Sequence, residues 1–432
     1  MNRKSSAVIS SLRTAGIILA ALALAAPASA LGPITEFPLP NSGGWPSDII
    51  AGPDGNLWFA DSGHGTIGRM TPRGEVAEVP IDSYYAPNAL AVGPDGRIWV
   101  AAMNFDWGGG EIARVSPEGF ALEEFPVNAA CEIVPGPDGN LWFTTCSESS
   151  VGRITPAGVV TMFPIPETHG GYATSITAGP DGNLWFTAPY LRRIGRVTTA
   201  GSVVEFALPA GSGDPGSIVV GPDANLWFAE GDRIGRVTPS GEMVEFPVPA
   251  TLLARGPEGD LWFADSVRGA IGRLSIENDH VAVAAETVVS SADSYISSIA
   301  AGPDGNVWYA DGRRNLVGRL SVCSPQSVCL GGRFEISAAW AGGGSSGAGK
   351  PASLTSNAGA FWFFDPSNLE VFVKILDSCR GSGTFNVYVN GLTHLGVTVT
   401  VTDKQTGTSK TFVHPDGAPF SLLFDGSTFA CP

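Results

Sequence analysis

Lysine is missing from almost the whole of this chain: after Lys4 none occurs until Lys350, and only Lys374, Lys404 and Lys410 follow. Charged residues of either sign make up just 15% of the sequence, and acids outnumber Lys+Arg by 41 to 25. A surface of that sign repels phosphate backbones and anionic headgroups, so neither nucleic acid nor a membrane surface is an expected partner. Long apolar runs are equally scarce. The one candidate, residues 15–26, is too short to span a bilayer comfortably, and no second one follows, so membrane insertion is not expected. Histidine is rare as well: His64, His169, His280, His394 and His414 are the full set, and each is read as a solvated surface side chain.

The short apolar run has another meaning. Arg3, Lys4 and Arg13 supply positive charge around its start, and Ala28-Ser29-Ala30 offers small residues after it. That is the pattern of a secretory signal peptide spanning 1–30 and cleaved near Ala30, so the mature protein is expected to be secreted or periplasmic. Its removal takes the net charge from −16 to −19. All six cysteines lie beyond it, in an oxidising compartment where disulfides form. Cys131 and Cys146 stand seven residues out on either side of Asp138-Gly139, so a hairpin centred there brings them face to face. Cys323 with Cys329 and Cys379 with Cys431 is one of three connectivities open to the remaining four.

What the chain has in abundance is one short phrase, used seven times. Gly52-Pro-Asp-Gly-Asn-Leu-Trp58 recurs with small changes ending at Trp99, Trp142, Trp185, Trp227, Trp262 and Trp308, at spacings of 41, 43, 43, 42, 35 and 46 residues. A period near forty, built of short strands and Gly/Pro turns, marks a propeller blade. Within one unit, 49–52 reads as an apolar strand, 53–55 as a turn with Pro and Gly in their preferred places, 57–60 as the return strand, 67–70 as a third and 76–79 as the outermost. The third strand carries Ile67-Gly-Arg69 and its six counterparts. The last unit ends at Ser321 without an outermost strand, while an orphan copy, Ile34-Thr-Glu-Phe-Pro38, precedes the first. Lending that copy to the last blade closes the ring and removes two free edges. The expected fold is all-β: a seven-bladed propeller over 31–322, closed by an N-terminal strand, followed by a small β-sandwich-like domain over 323–432. In the second domain, strands are expected at 334–340, 360–364, 369–376, 384–389 and 397–402, with 342–349 as a flexible loop. The run Phe361-Trp-Phe-Phe364 is read as core, with a carbohydrate-stacking platform as the alternative.

The phrases Ile34-Thr-Glu-Phe-Pro-Leu-Pro40, Gly-Pro-Asp-Gly-Asn-Leu-Trp-Phe at 136–143 and 179–186, and Ile-Gly-Arg together resemble the streptogramin B (virginiamycin B) lyase family, across 34–321 and all seven blades. The resemblance implies a lactone-opening elimination helped by magnesium, with a histidine base, a nearby glutamate and a second histidine. The family's histidines stand at the start of innermost strands, in a Pro-His-(Ala/Gly)-Ile pattern, since imidazole can take an α-proton near neutral pH. The same register here holds Ser47, Asn88, Cys131, Thr174, Gly216, Thr251 and Ser297. No imidazole is among them, so lyase activity is not expected to be inherited.

The residue closing each second strand lies on the same face. Asp61, Glu230, Asp265 and Asp311 fall there in contiguous blades, with Asp214 at the start of blade five. Either these acids cap strand ends or pair with the repeated arginines Arg69, Arg236, Arg273 and Arg319, or the arc collects a ligand or a hard cation such as magnesium or calcium. The expectation is a monomeric protein that binds a small molecule or an envelope component. A lyase with a relocated base and a structural envelope protein are the alternatives.

Overall fold

The structure is a computed structural model that describes residues 31–432 except 33, 82–85, 105–108, 118–121, 167–170, 278–279, 290–292, 325, 331–332, 356, 405 and 432. The expected signal segment and His169 lie outside the described residues. Seven four-stranded antiparallel sheets form the ring, each running outward in chain order. The innermost strands are Pro46–Ala51, Ala86–Val92, Ala130–Pro135, Ile176–Ala178, Ile218–Val220, Leu252–Arg255 and Ile296–Ala301. In blade seven the order is Ile296–Ala301, Val307–Asp311, Leu316–Leu320 and then Ile34–Pro38, so the N-terminal strand completes the last blade.

Each blade is sandwiched between two others, which is why the second strands are apolar on both faces. Leu57–Asp61 and its six counterparts are buried along their whole length. The repeated phrase builds one device in blades two to five and seven; in blades one and six, Val79 and Thr287 stand where the outer strand otherwise has phenylalanine. The turn aspartate accepts a hydrogen bond from the tryptophan Nε1, as Asp138 does from Trp142 at 3.1 Å and Asp181 from Trp185 at 3.0 Å. The third-strand arginine lies over that indole, Arg153 at 5.7 Å and Arg196 at 5.6 Å, while an outer-strand phenylalanine stacks on it. Each of these guanidiniums also reaches a carbonyl of the next blade: Arg153 that of Thr199 at 3.1 Å, Arg319 that of Pro72 at 3.1 Å. The arginine is therefore a staple between blades.

The C-terminal domain is a sandwich of two five-stranded sheets. One orders Ser327–Leu330, Phe334–Gly342, Gly396–Asp403 and Ser409–His414, with Ser345–Ala348 also on Phe334–Gly342; the other orders Lys350–Thr355, Ala358–Trp362, Val371–Asp377, Thr384–Gly391 and Leu423–Ala430. Their facing sides share one core that includes Ile336, Phe361, Val373, Val387 and Val399. The expected flexible loop at 342–349 is instead a tight hairpin. Gly342 pairs with Ser345, and Gly343 and Gly344 take φ of +59° and +79°, the left-handed pair that a two-residue turn matching strand twist requires. Glycine richness here means turn geometry. The aromatic run splits by strand alternation: Phe361 and Phe363 are buried, whereas Phe364 is 61% exposed. Cysteines pair as Cys131–Cys146, Cys323–Cys329 and Cys379–Cys431. Lys404 joins the two domains by donating to the carbonyls of Gly305 and Val322. No helix among the described residues is long and apolar enough to cross a membrane.

Candidate functional site

The seven innermost strands enclose a channel of about 710 Å³. Every residue of the histidine register lines it: Ser47, Asn88, Cys131, Thr174, Gly216, Thr251 and Ser297. Several of these side chains are spent on closing the ring. Ser47 Oγ donates to the Pro87 carbonyl at 3.0 Å, Asn88 Nδ2 to that of Cys131 at 2.6 Å, and Ser297 Oγ to that of Pro46 at 2.5 Å, each time in the next blade. Cys131 is oxidised with Cys146 and is no nucleophile.

One position deeper lies a second ring that the sequence reading passed over. Asp48, Glu132, Ser175, Ser217 and Ser298 line the channel and accept a backbone N–H from the following blade. Leu90 N donates to Asp48 at 2.8 Å, Ile176 N to Glu132 at 3.1 Å, Ile218 N to Ser175 at 3.1 Å, Leu253 N to Ser217 at 2.8 Å and Ile49 N to Ser298 at 3.4 Å. The innermost strands of blades one and two, which supply Ile49 N and Leu90 N, carry a bulge at their start. Blades two and six hold Ala89 and Leu252 there, which offer no acceptor. Burial pushes the Glu132 carboxyl up to about 8, and the charge of Asp48 adds to that; burial raises Asp48 as well, against the hydrogen bonds from Ser298 and the two backbone amides. The only hint in sequence was a lone acid just before an apolar strand, in Ser47-Asp-Ile49 and Cys131-Glu-Ile133.

The raised carboxyl sets a pH dependence. Between the ordinary carboxylate range and about pH 8, the native state holds a Glu132 proton that the unfolded chain releases. Native stability therefore falls as pH rises through that window, and is free of this penalty below it. Glu132→Gln keeps the acceptor for Ile176 N and carries no charge. Chemical denaturation at pH 4.5 and pH 8.5 should show the variant gaining about 1–3 kcal/mol on wild type at the higher pH relative to the lower.

The five acids of the arc occupy different ground: none lines the channel. Asp61 accepts from Trp45 N at 2.7 Å and Gly63 N at 3.0 Å, and pairs with His64 Nδ1 at 2.8 Å. Asp265 accepts from Val267 N at 2.9 Å and Arg268 Nε at 2.6 Å; Asp311 accepts from Tyr295 N at 3.0 Å and Arg314 N at 3.1 Å. Glu230 accepts from Gly213 N at 3.1 Å, and burial pushes its carboxyl up to about 7, with Glu245 adding to the shift. Asp214 is 65% exposed and meets Arg192 Nε at 3.1 Å. Apart from Asp214, whose partner belongs to blade four, these acids tie turns and loops within their own blades. The repeated arginines pair elsewhere, with the turn aspartates at the opposite end: Arg69 with Asp54 and Arg273 with Asp260, both at 2.6 Å. No three of the five bring oxygens within 4.8 Å of one another. The described residues thus do not assemble a magnesium or calcium site in the arc, which needs several converging oxygens.

Of the histidines, His280 and His394 are exposed, and His64 is tied to Asp61, which raises it above its usual range. His414 corrects the surface reading: it is 3% exposed, stacked on Phe420 at 4.1 Å, with Nε2 3.1 Å from the Ala418 carbonyl. On strand Ser409–His414 it shares the inward side with Phe412, as alternation requires. Two aromatic pairs stand on the face where the innermost strands begin, with Tyr190 the most exposed of the four at 69%. Trp45 and Tyr295 lie 5.7 Å apart before blades one and seven, and the hydroxyls of Tyr172 and Tyr190 meet at 3.1 Å on blade four, across the ring.

Among solved structures, the chain is 28% identical to a catalytically inactive histidine-to-alanine variant of virginiamycin B lyase from Staphylococcus aureus with quinupristin, over 67% of this chain and 99% of that one, with a TM-score of 0.60. A streptogramin B lyase structure matches at 28% identity over 67% of this chain and 97% of that one, with a TM-score of 0.59. YCF48 bound to D1 peptide, 15% identical over 67% of this chain and 95% of that one at a TM-score of 0.52, shares the fold alone. No curated protein sequence matches. The model of the virginiamycin B lyase family matches residues 26–130, 82–252 and 229–328, through every blade of the ring. The chain belongs to the virginiamycin B lyase family.

Proposed function

We propose that this protein is a secreted or periplasmic ligand-binding member of its family, without streptogramin lyase activity. The observation that carries the reading is the channel register itself: seven positions, all facing the channel, holding Ser, Asn, oxidised Cys, Thr and Gly. None of these can take an α-proton near neutral pH. In the relative described above, replacing one histidine leaves the enzyme catalytically inactive. What persists is a concave mouth between the Trp45–Tyr295 and Tyr172–Tyr190 pairs, suited to holding a ligand with apolar or planar faces. The acidity of the ring argues against a bilayer or a nucleic acid as ligand.

The second reading, elimination by a relocated base, rests on Glu132, which lines the channel and titrates near neutrality. One experiment separates the two. Incubated with a streptogramin B antibiotic, the purified protein is expected to leave it cyclic. Elimination would give a linear product of unchanged mass and shifted retention, whereas hydrolysis would add a water. A linear isobaric product formed by wild type and lost in Glu132→Gln would replace the first reading with the second. Binding without turnover, read as quenching of Trp45 fluorescence that a Trp45→Phe variant lacks, supports the first.

A further inference from the structure

We infer that the outer face of the second sheet of the C-terminal sandwich binds an acidic polysaccharide, a recognition surface separate from the propeller channel. Strand alternation sorts the five strands cleanly. Phe361, Val371, Val373, Ile375, Val387 and Val389 point into the core, so their neighbours Trp362, Phe372, Lys374 and Tyr388 face outward. The cross-strand register then aligns four aromatic rings on four adjacent strands. Phe372 lies opposite Ala360 and Asn390, Tyr388 opposite Lys374 and Phe424, and Trp362 is diagonal to Phe372. The resulting band crosses three strand spacings, roughly 14 Å. Ala352, Ala358 and Ala360 stand beside it with small side chains.

These rings are not core residues that failed to be covered. Phe424 is 56% exposed and sits 5.0 Å from Tyr388, and Trp362 carries Lys350 Nζ over its ring at 4.3 Å. Trp362, Phe372 and Tyr388 are partly exposed in the same band, and a protein surface rarely leaves a row of aromatic rings in reach of solvent unless something docks on it. Aromatic faces take the C–H faces of sugars, while the exposed amide of Asn390 and the ammonium of Lys374 reach hydroxyls and carboxylates at the rim.

Charge picks the class of sugar. Every lysine of the mature chain lies in this domain, two of the four on this face, and no outward position of the five strands is a carboxylate. The domain carries six basic and seven acidic residues, so it is nearly neutral beside a strongly acidic ring. The propeller contact includes Lys404, at the turn after strand Gly396–Asp403, and the crevice between the domains is lined by Arg333, Thr406, Ala430 and Cys431, none of them part of the band. Beyond a Debye length of about 8 Å, the ring's repulsion is screened.

The test uses the full mature protein in native gels containing polygalacturonate, dextran or no polymer. Retardation by polygalacturonate and not by dextran is expected. It should weaken at least about tenfold in Trp362→Ala and in the exposed-site variant Phe424→Ser, and in the Lys350→Gln/Lys374→Gln pair. Unchanged melting of Phe424→Ser keeps that result independent of folding. The inference is overturned by absence of retardation, by retardation that the variants leave intact, by equal retardation in dextran, or by light scattering that shows a dimer which Phe424→Ser dissociates. None of these outcomes bears on the channel, so the two binding readings fail separately.

Discussion

Truncating the chain before Leu39 is expected to lower its melting temperature by roughly 10 °C or more and to make it aggregate. The lost segment pairs five residues, Ile34–Pro38, with the third strand of blade seven. Phe37 stacks on Trp308 at 5.5 Å, with Arg319 over it at 5.8 Å, so the truncated blade loses the outer ring of its arginine–indole stack. Glu36 holds Arg314 through two bonds of 2.6 and 2.7 Å. Strand Leu316–Leu320, wholly buried in the intact protein, becomes an open apolar edge. Adding a peptide of residues 31–40 back in trans should restore the melting temperature, because the edge offers the same register to a free strand. A truncated protein that elutes as wild type and melts at the wild-type temperature would show that the ring does not depend on this closure.

That closing strand was legible before any coordinates, and the reason is repetition. Seven copies of one phrase fix which residues turn, which stack and which staple, so the missing outer strand of the last unit and the surplus one at 34–38 identify each other. The channel register was legible for the same reason, since it counts backward from each turn. Asp48 and Glu132 were not, because they occur in single blades and nothing in a repeat marks an exception as important. Their meaning depends on an amide that reaches each of them from the next blade, a feature of three dimensions. The arc of acids shows the converse. Asp61, Asp265 and Asp311 shared a position and a sign, which invited a common ligand, yet each is enclosed by the amides of its own blade. In the second domain there is no repeat to average over. There a Gly/Ser stretch passed for a loop and His414 for a surface residue, when Gly343-Gly344 makes a hairpin and alternation buries the imidazole.

Gly195→Ala is expected to cost about 3 kcal/mol, and Phe186→Val to return much of it in the double variant. Gly195 is the middle residue of an Ile-Gly-Arg triplet and sits opposite Phe186 on the second strand. Its backbone is ordinary extended strand, so nothing but space forbids a side chain. A Cβ there would lie 2.0 Å from Phe186 Cζ, and the buried ring fills the blade with nowhere to move. The same contact recurs in blade three, where Gly152 would meet Phe143 at 2.0 Å, and in blade seven, where Gly318 would meet Tyr309 at 2.0 Å. Blade two performs the compensating exchange already. It has Ala113 in place of the glycine, and the residue opposite is Val100, not phenylalanine. The two positions therefore covary by volume within one molecule. Denaturant midpoints for the two single variants and the double variant measure the coupling: Gly195→Ala alone loses stability through the clash, Phe186→Val alone through a cavity, and together they recreate the pair of blade two. A double variant as unstable as the sum of the singles would mean that glycine is required there by the backbone, and that blade two tolerates alanine for some other reason.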